Sequence, residues 1–211
     1  VRLPIQESGP YNLSIGNGQP IVAGTRSFSL EAMSSSADPT RTVVGYNDSA
    51  GNQVELDEDA ITGGALGGLL TFRSETLDKT QNQIGQMALA LAAGFNEQHR
   101  AGQDLNGEQG GDFFSIGSPT VFANETNAGD ATITAEFSNY QAVQAQDYDL
   151  RLLADGNYQV TRLGSSESFE VTPDADTLSF DGLTLTISGT AQVGDKFQVQ
   201  PTRNLAGQVE N

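Results

Sequence analysis

The sequence predicts a mainly-β α+β fold: a small N-terminal β layer, one long amphipathic helix, then an antiparallel β domain of sandwich or barrel-like form. Between Leu66 and Arg100 there is no proline. Leu70, Leu77, Ile84 and Leu91 recur there every seven residues, with Met87, Ala88 and Phe95 beside them at helical steps. Elsewhere apolar positions alternate with polar ones between short turns, the mark of half-buried strands. Glycine is abundant, at 24 of 211 residues, and the apolar share is only 36%, which suits a turn-rich, strand-heavy chain.

The β layer occupies residues 1–60. Tyr11 to Ile15 alternates, Gly16-Asn17-Gly18-Gln19 offers a turn, and Pro20 to Ala23 returns as a second arm. Arg26 to Met33 alternates again, with Phe28 and Leu30 on one face. Arg41 to Tyr46 and Gln53 to Leu56 flank the polar hairpin loop Asn47–Asn52.

The helix is predicted over about residues 64–101, with glycines crowding its start and Gly102 at a C-cap position. A helix of about 35 residues is roughly 50 Å long and cannot bury its stripe alone. The residues expected to form a packing or assembly stripe are Leu70, Leu77, Ile84, Met87, Leu91 and Phe95. Leu89 and Phe72 lie off that stripe, so more than one face calls for a partner. The rest of the chain offers no second helix of similar length.

Residues 102–118 are glycine-rich and polar, anchored by Phe113-Phe114. From about Thr120 the period becomes two. Strands are expected at Ala131–Phe137, Tyr148–Leu153, Tyr158–Leu163, Ser168–Val171, Thr177–Phe180, Leu183–Ile187 and Lys196–Val199, with turns such as Asp155-Gly156-Asn157 and Asp181-Gly182 between them. The expected organisation is therefore 1–114 for the β layer and helix, 115–201 for an antiparallel domain with its own core, and 202–211 as the start of a return segment.

Several residue types carry chemistry, and none converges on a site. His99 is the only histidine and cysteine is absent, so a transition-metal centre or a thiolate nucleophile has no donor set. Asp104-Leu-Asn106-Gly107-Glu108 with Asp112 resembles a calcium loop. Its glycine comes too early and the bidentate glutamate is missing, so a linker held by Asx-turns is expected. Gly63-Gly64 and Gly67-Gly68 lack the lysine of a phosphate loop and the spacing of a dinucleotide fingerprint, and are expected to serve close packing. Glu55, Asp57, Glu58 and Asp59 precede the helix, where carboxylates favour its dipole. No enzymatic activity and no cofactor are expected. The formal charge of −17 argues against nucleic acid and anionic membrane as partners. No apolar run approaches the roughly 18 residues that span a bilayer.

The segments Ile61-Thr-Gly-Gly-Ala-Leu-Gly-Gly-Leu-Leu-Thr-Phe-Arg73, Leu89-Ala-Leu-Ala-Ala-Gly-Phe-Asn-Glu-Gln-His99, Gly102–Gly107 and Gly110–Phe114 together resemble the flagellar hook-associated protein 1 (FlgK) family. Asn12–Gly24 and Gly194–Arg203 resemble it too, in the same order. The resemblance implies a structural subunit joining hook to filament. Its expected partners are copies of itself in the axial lattice, the hook protein and the next hook-associated protein, with an export chaperone for the C-terminal tail. It implies an extracellular, flagellar location reached without a cleaved signal peptide. It also marks the chain as an internal fragment without the long terminal helices of the family. The alternative drawn from the residues alone is an acidic extracellular β-sandwich that binds carbohydrate or calcium and carries a helical insert.

Overall fold

The structure, a computed structural model, describes residues 12–15, 19–48 and 50–210. The chain divides into two compact units, Val1–Thr76 and Leu77–Asn211.

The first unit opens with β1 (Asn12–Ile15), β2 (Gln19–Ala23) and β3 (Arg26–Ser27), an antiparallel sheet in that order. The turn expected at Gly16–Gln19 lies mostly outside the described residues. A second antiparallel sheet holds β4 (Leu30–Ser34), β5 (Thr42–Asn47) and β6 (Gln53–Glu55). The strand expected over Arg26–Met33 is thus two short strands in different sheets. Phe28 makes the break: its amide still donates to the Ile21 carbonyl at 2.8 Å, while its ring meets Tyr46 of β5 edge-on, 5.9 Å between centroids. A 3-10 turn, Glu58–Ala60, is capped by the Asp57 side chain, which accepts from the Asp59 amide. The helix α1 (Gly64–Phe72) follows. Leu70 is buried with Leu56 and Ile61, and Val44 and Tyr46 pack against them.

A π-helical turn, Arg73–Leu77, joins α1 to α2 (Asp78–Arg100). The single expected helix is therefore helical throughout, with one wider turn set into it.

In the second unit α2 is followed by β7 (Ser115–Ile116), β8 (Thr120–Ala123), β9 (Thr132–Phe137), β10 (Tyr148–Leu152), β11 (Tyr158–Arg162), β12 (Glu167–Val171), β13 (Thr177–Phe180), β14 (Leu183–Ser188), β15 (Lys196–Gln200) and β16 (Val209–Glu210). A five-stranded sheet has the order β12-β11-β10-β15-β8 and a three-stranded sheet the order β13-β14-β9, both antiparallel. β16 pairs with β7. Alternation puts Tyr148, Leu150, Tyr158, Val160, Phe197 and Val199 on the inner face of the larger sheet, and Ile133, Leu178, Phe180, Leu183 and Leu185 on that of the smaller. They form one buried core, with Tyr148 and Phe180 edge-to-face at 5.1 Å. Leu89 of α2 and Leu205 belong to the same core.

Candidate functional site

Helix α2 carries two different faces. The buried one is Asn82, Gly85, Leu89, Ala92 and Asn96, spaced three and four apart. Its residues are mostly small or polar, and each polar group is matched. Asn82 Oδ1 accepts from the Thr202 hydroxyl at 2.8 Å. Gly85 lets the Thr202 backbone come so close that a Cβ would overlap its carbonyl. The Asn96 side chain accepts from the amides of Phe113 (3.0 Å) and Phe114 (2.8 Å) and donates to the Phe114 carbonyl (2.8 Å), so it fixes the chain leaving the helix. Beside this face, Gln86 donates to the Val143 carbonyl at 2.7 Å.

At the N-terminal end of α2 a charged cluster completes the seat. Arg203 pairs with the buried carboxylate of Asp147 and stands 3.6 Å from Asp78. Burial pushes the Asp147 carboxyl up to about 6, against the downward pull of the Arg203 charge and the Asn82 hydrogen bond. The sandwich holds a second ion pair. Arg162 donates twice to Asp181, at 2.8 and 2.9 Å, and Tyr148 donates to the same carboxylate at 2.9 Å. These bonds hold the Asp181 carboxyl below its usual range.

The other face of α2 lies roughly 130° round the axis at 3.6 residues per turn. Here Leu77, Ile84, Met87, Leu91 and Phe95 are 43% to 70% exposed. Of the six stripe residues expected from the sequence, only Leu70 is buried, in the first unit. Leu66, Leu69 and Phe72 of α1 are exposed as well. At its C-terminal end the row runs into an aromatic cluster. Phe95 lies 5.1 Å from Phe113, 5.3 Å from Phe114 and 6.1 Å from the ring of His99.

The remaining sequence candidates hold the fold together. His99 Nδ1 lies 2.8 Å from the Gly111 carbonyl, and Arg100 pairs with Asp112. The Asp104 carboxylate accepts from the amides of Asn106 (2.8 Å) and Glu108 (2.9 Å), an Asx-turn, and the Glu108 amide leads in holding its pKa down. Glu58 accepts from Arg41 at 3.2 Å and from Arg73, while Glu55 accepts from Ser35 and Ser36. Of the two glycine pairs, Gly67 is the one in close packing: a Cβ there would meet the backbone of Ile61 and Thr62 at 2.8 Å. Among the described residues no group of three or more His, Asp and Glu is placed to hold a metal ion, and no helix is long and apolar enough to cross a membrane.

The family model described as the flagellar hook-associated protein FlgK helical domain matches residues 1–114, and the one for the D2-like domain of flagellar hook-associated protein 1 matches residues 122–201. The chain belongs to the flagellar hook-associated protein 1 family. It is 47% identical over 203 residues to flagellar hook-associated protein 1 of Escherichia coli (strain K12), covering 95% of this chain and 37% of that relative. The counterpart of Salmonella typhimurium is also 47% identical, over 208 residues, covering 97% of this chain and 37% of its own length. The solved structure of the flagellar hook junction protein FlgK from Burkholderia pseudomallei superposes with a TM-score of 0.90 at 34% identity, covering 99% of this chain and 39% of that one. The chain thus spans under two fifths of the length of these relatives. Membership of the FlgK family leaves the carbohydrate- or calcium-binding alternative without support.

Proposed function

We propose that this chain is a structural, non-catalytic part of the bacterial flagellum, in a subunit that joins the hook to the filament. The observation that carries the reading beyond family membership is the exposed row Leu77, Ile84, Met87, Leu91 and Phe95, on the side of α2 away from its seat in the β domain. A monomer rarely leaves a contiguous apolar row of this kind open to water, and such rows mark interaction surfaces. The row takes helices from outside these 211 residues, in the same subunit or in its copies along the axis. The hook protein on one side and the next hook-associated protein on the other are the remaining partners, with an export chaperone for a tail outside this chain. The location is extracellular, on the flagellum, without a cleaved signal peptide.

The test is made in the full-length protein, in flagellated cells lacking their own copy. Ile84→Asp combined with Leu91→Asp is expected to abolish filament attachment and motility, while the strand signal of the β domain, whose core neither side chain enters, persists in circular dichroism. Normal filaments, counted by electron microscopy on cells making that variant, would overturn the reading.

A further inference from the structure

We infer that Leu105 is an apolar knob that docks into a cleft of a second copy of this chain, beside the C-terminal end of α2. Leu105 stands at the tip of the loop formed by residues 102–110. It is fully exposed, more so than any other large apolar side chain among the described residues. The loop beneath it is braced throughout. Gln103 and Gln109 form an antiparallel bridge, and the Gly110 amide donates to the Gly102 carbonyl at 3.1 Å. The Asp104 amide donates to the Glu108 carbonyl at 2.9 Å, and the Gly107 amide to the Asp104 carbonyl at 3.1 Å. The Asp104 carboxylate adds its bonds from the amides of Asn106 and Glu108. A side chain carried on so fixed a frame loses little backbone freedom on binding, which suits it to a contact.

The receiving cleft, of about 520 Å³, is lined by Ala93, Phe114, Ile116 and Tyr140 together with the ion pair Arg100–Asp112. The Asn96 side chain also reaches it, but its bonds to Phe113 and Phe114 already satisfy it, so the cleft favours an apolar guest. Neither Leu105 nor any residue of the exposed α2 row lines the cleft. Charge selects the guest. A chain of formal charge −17 repels its copies, so they meet where that charge is locally offset. Gln103, Leu105, Asn106 and Gly107 at the tip are uncharged, and in the cleft Arg100 offsets Asp112. Glu108, exposed beside the tip, complements Arg100, whose pair with Asp112 is half exposed and weak enough to exchange. Knob and cleft are different patches of one chain, so the contact is head-to-tail. Each copy gives one knob and takes one, and repetition builds a ring or a helix. The contact presupposes copies assembled along the flagellar axis, the role proposed for the exposed row.

The test places the photo-reactive residue benzoylphenylalanine at position 105 of the full-length protein, in flagellated cells lacking their own copy. Irradiated flagella are expected to yield a crosslinked dimer on a denaturing gel, with mass spectrometry locating the link at residues 112–116 or Tyr140. No dimer, or a link to another region or another protein, overturns the contact. Filaments are counted on the same cells. Attached filaments without that crosslink overturn this contact alone and leave the junction role standing, since that role is tested separately at Ile84 and Leu91. If the labelled protein does not assemble, Leu105→Asp and Leu105→Met decide, both tolerated by the fold at a fully exposed turn position. Loss of attached filaments with Leu105→Asp but not with Leu105→Met supports the knob. Equal filament numbers with the two overturn it.

Discussion

The hydroxyl of Thr202 donates to Oδ1 of Asn82 across 2.8 Å, at a point closed to solvent, and ties residues 120 apart in sequence. Neither partner can turn to water if the other is lost. Thr202→Val keeps the shape and removes the donor, and is expected to cost about 1–3 kcal/mol, the penalty of a buried group left unsatisfied. Urea denaturation measures it. An unchanged midpoint would mean that the bond adds nothing to the seat of α2.

Two glycines of α2 are expected to answer the same substitution with opposite signs. At Gly85 a methyl overlaps the Thr202 carbonyl, so Gly85→Ala should destabilise by about 1–3 kcal/mol or more through overpacking. Gly94 has open space at its Cβ position, so Gly94→Ala should stabilise by about 0.5–1 kcal/mol through helix propensity. Thermal midpoints of the two variants moving in the same direction would contradict this account of the buried face.

Leu89 and Leu91 lie two residues apart in sequence and are opposites in burial, at 1% and 70% exposed. Leu89→Ala should cost about 2–5 kcal/mol, as core truncations do. Leu91→Ala should stay within about 0.5 kcal/mol in this chain, as surface changes do. In the full-length protein the Leu91 variant should cost distinctly more, because the proposed helices cover it there. Equal effects of Leu91→Ala in chain and full-length protein would remove the case for such a cover.

Asp147 gives stability an unusual pH dependence. Its carboxyl rises from the ordinary 3.8 to about 6 on folding, so the folded state holds the proton more tightly than the unfolded one. The contribution is complete below pH 3.8 and is lost as pH rises through about 6, a difference of about 3 kcal/mol at 1.36 kcal/mol per unit. Asp181 works in the other sense: its lowered pKa stabilises above the ordinary carboxylate range and fails as pH falls. Asp147→Asn should flatten the decline between about pH 4 and 6. Carbon NMR of the Asp147 carboxyl should give a midpoint near 6, and a midpoint near 4 would rule this out.

Much of the fold was legible because alternation and turn chemistry agree along the β domain. Tyr148, Leu150, Tyr158 and Val160 announce one inner face, and Asp181-Gly182 announces a hairpin. β8 escaped notice because Thr120–Ala123 is short and only partly buried, and β7 and β16 have two residues each, too few for any period. The helix shows a deeper limit. Its loudest apolar row, Ile84 to Phe95, is the exposed one, whereas its buried face speaks in asparagine, glycine and alanine. Hydropathy registers how apolar a residue is, and close backbone approach selects for how small it is. Leu89 alone signalled that second face. The π turn left no trace either, since Arg73-Ser-Glu-Thr-Leu77 contains no residue that disfavours the α pitch.

The pairing of β16 with β7 has a consequence for how this molecule can change. Val209 lies opposite Ile116 and Glu210 opposite Ser115, so the backbone leaves the β domain beside the point where it came in. A module whose two ends meet on a single doorstep can be lengthened, traded or remodelled without altering the spacing of what precedes and follows it. The freedom is bounded by Val143 and Leu205, which line the core, and by Thr202, which bonds to Asn82 of α2. A replacement that omitted such a cradle would leave Leu89 bare, so lineages of this architecture should vary its outer loops freely while keeping the cradle in some form.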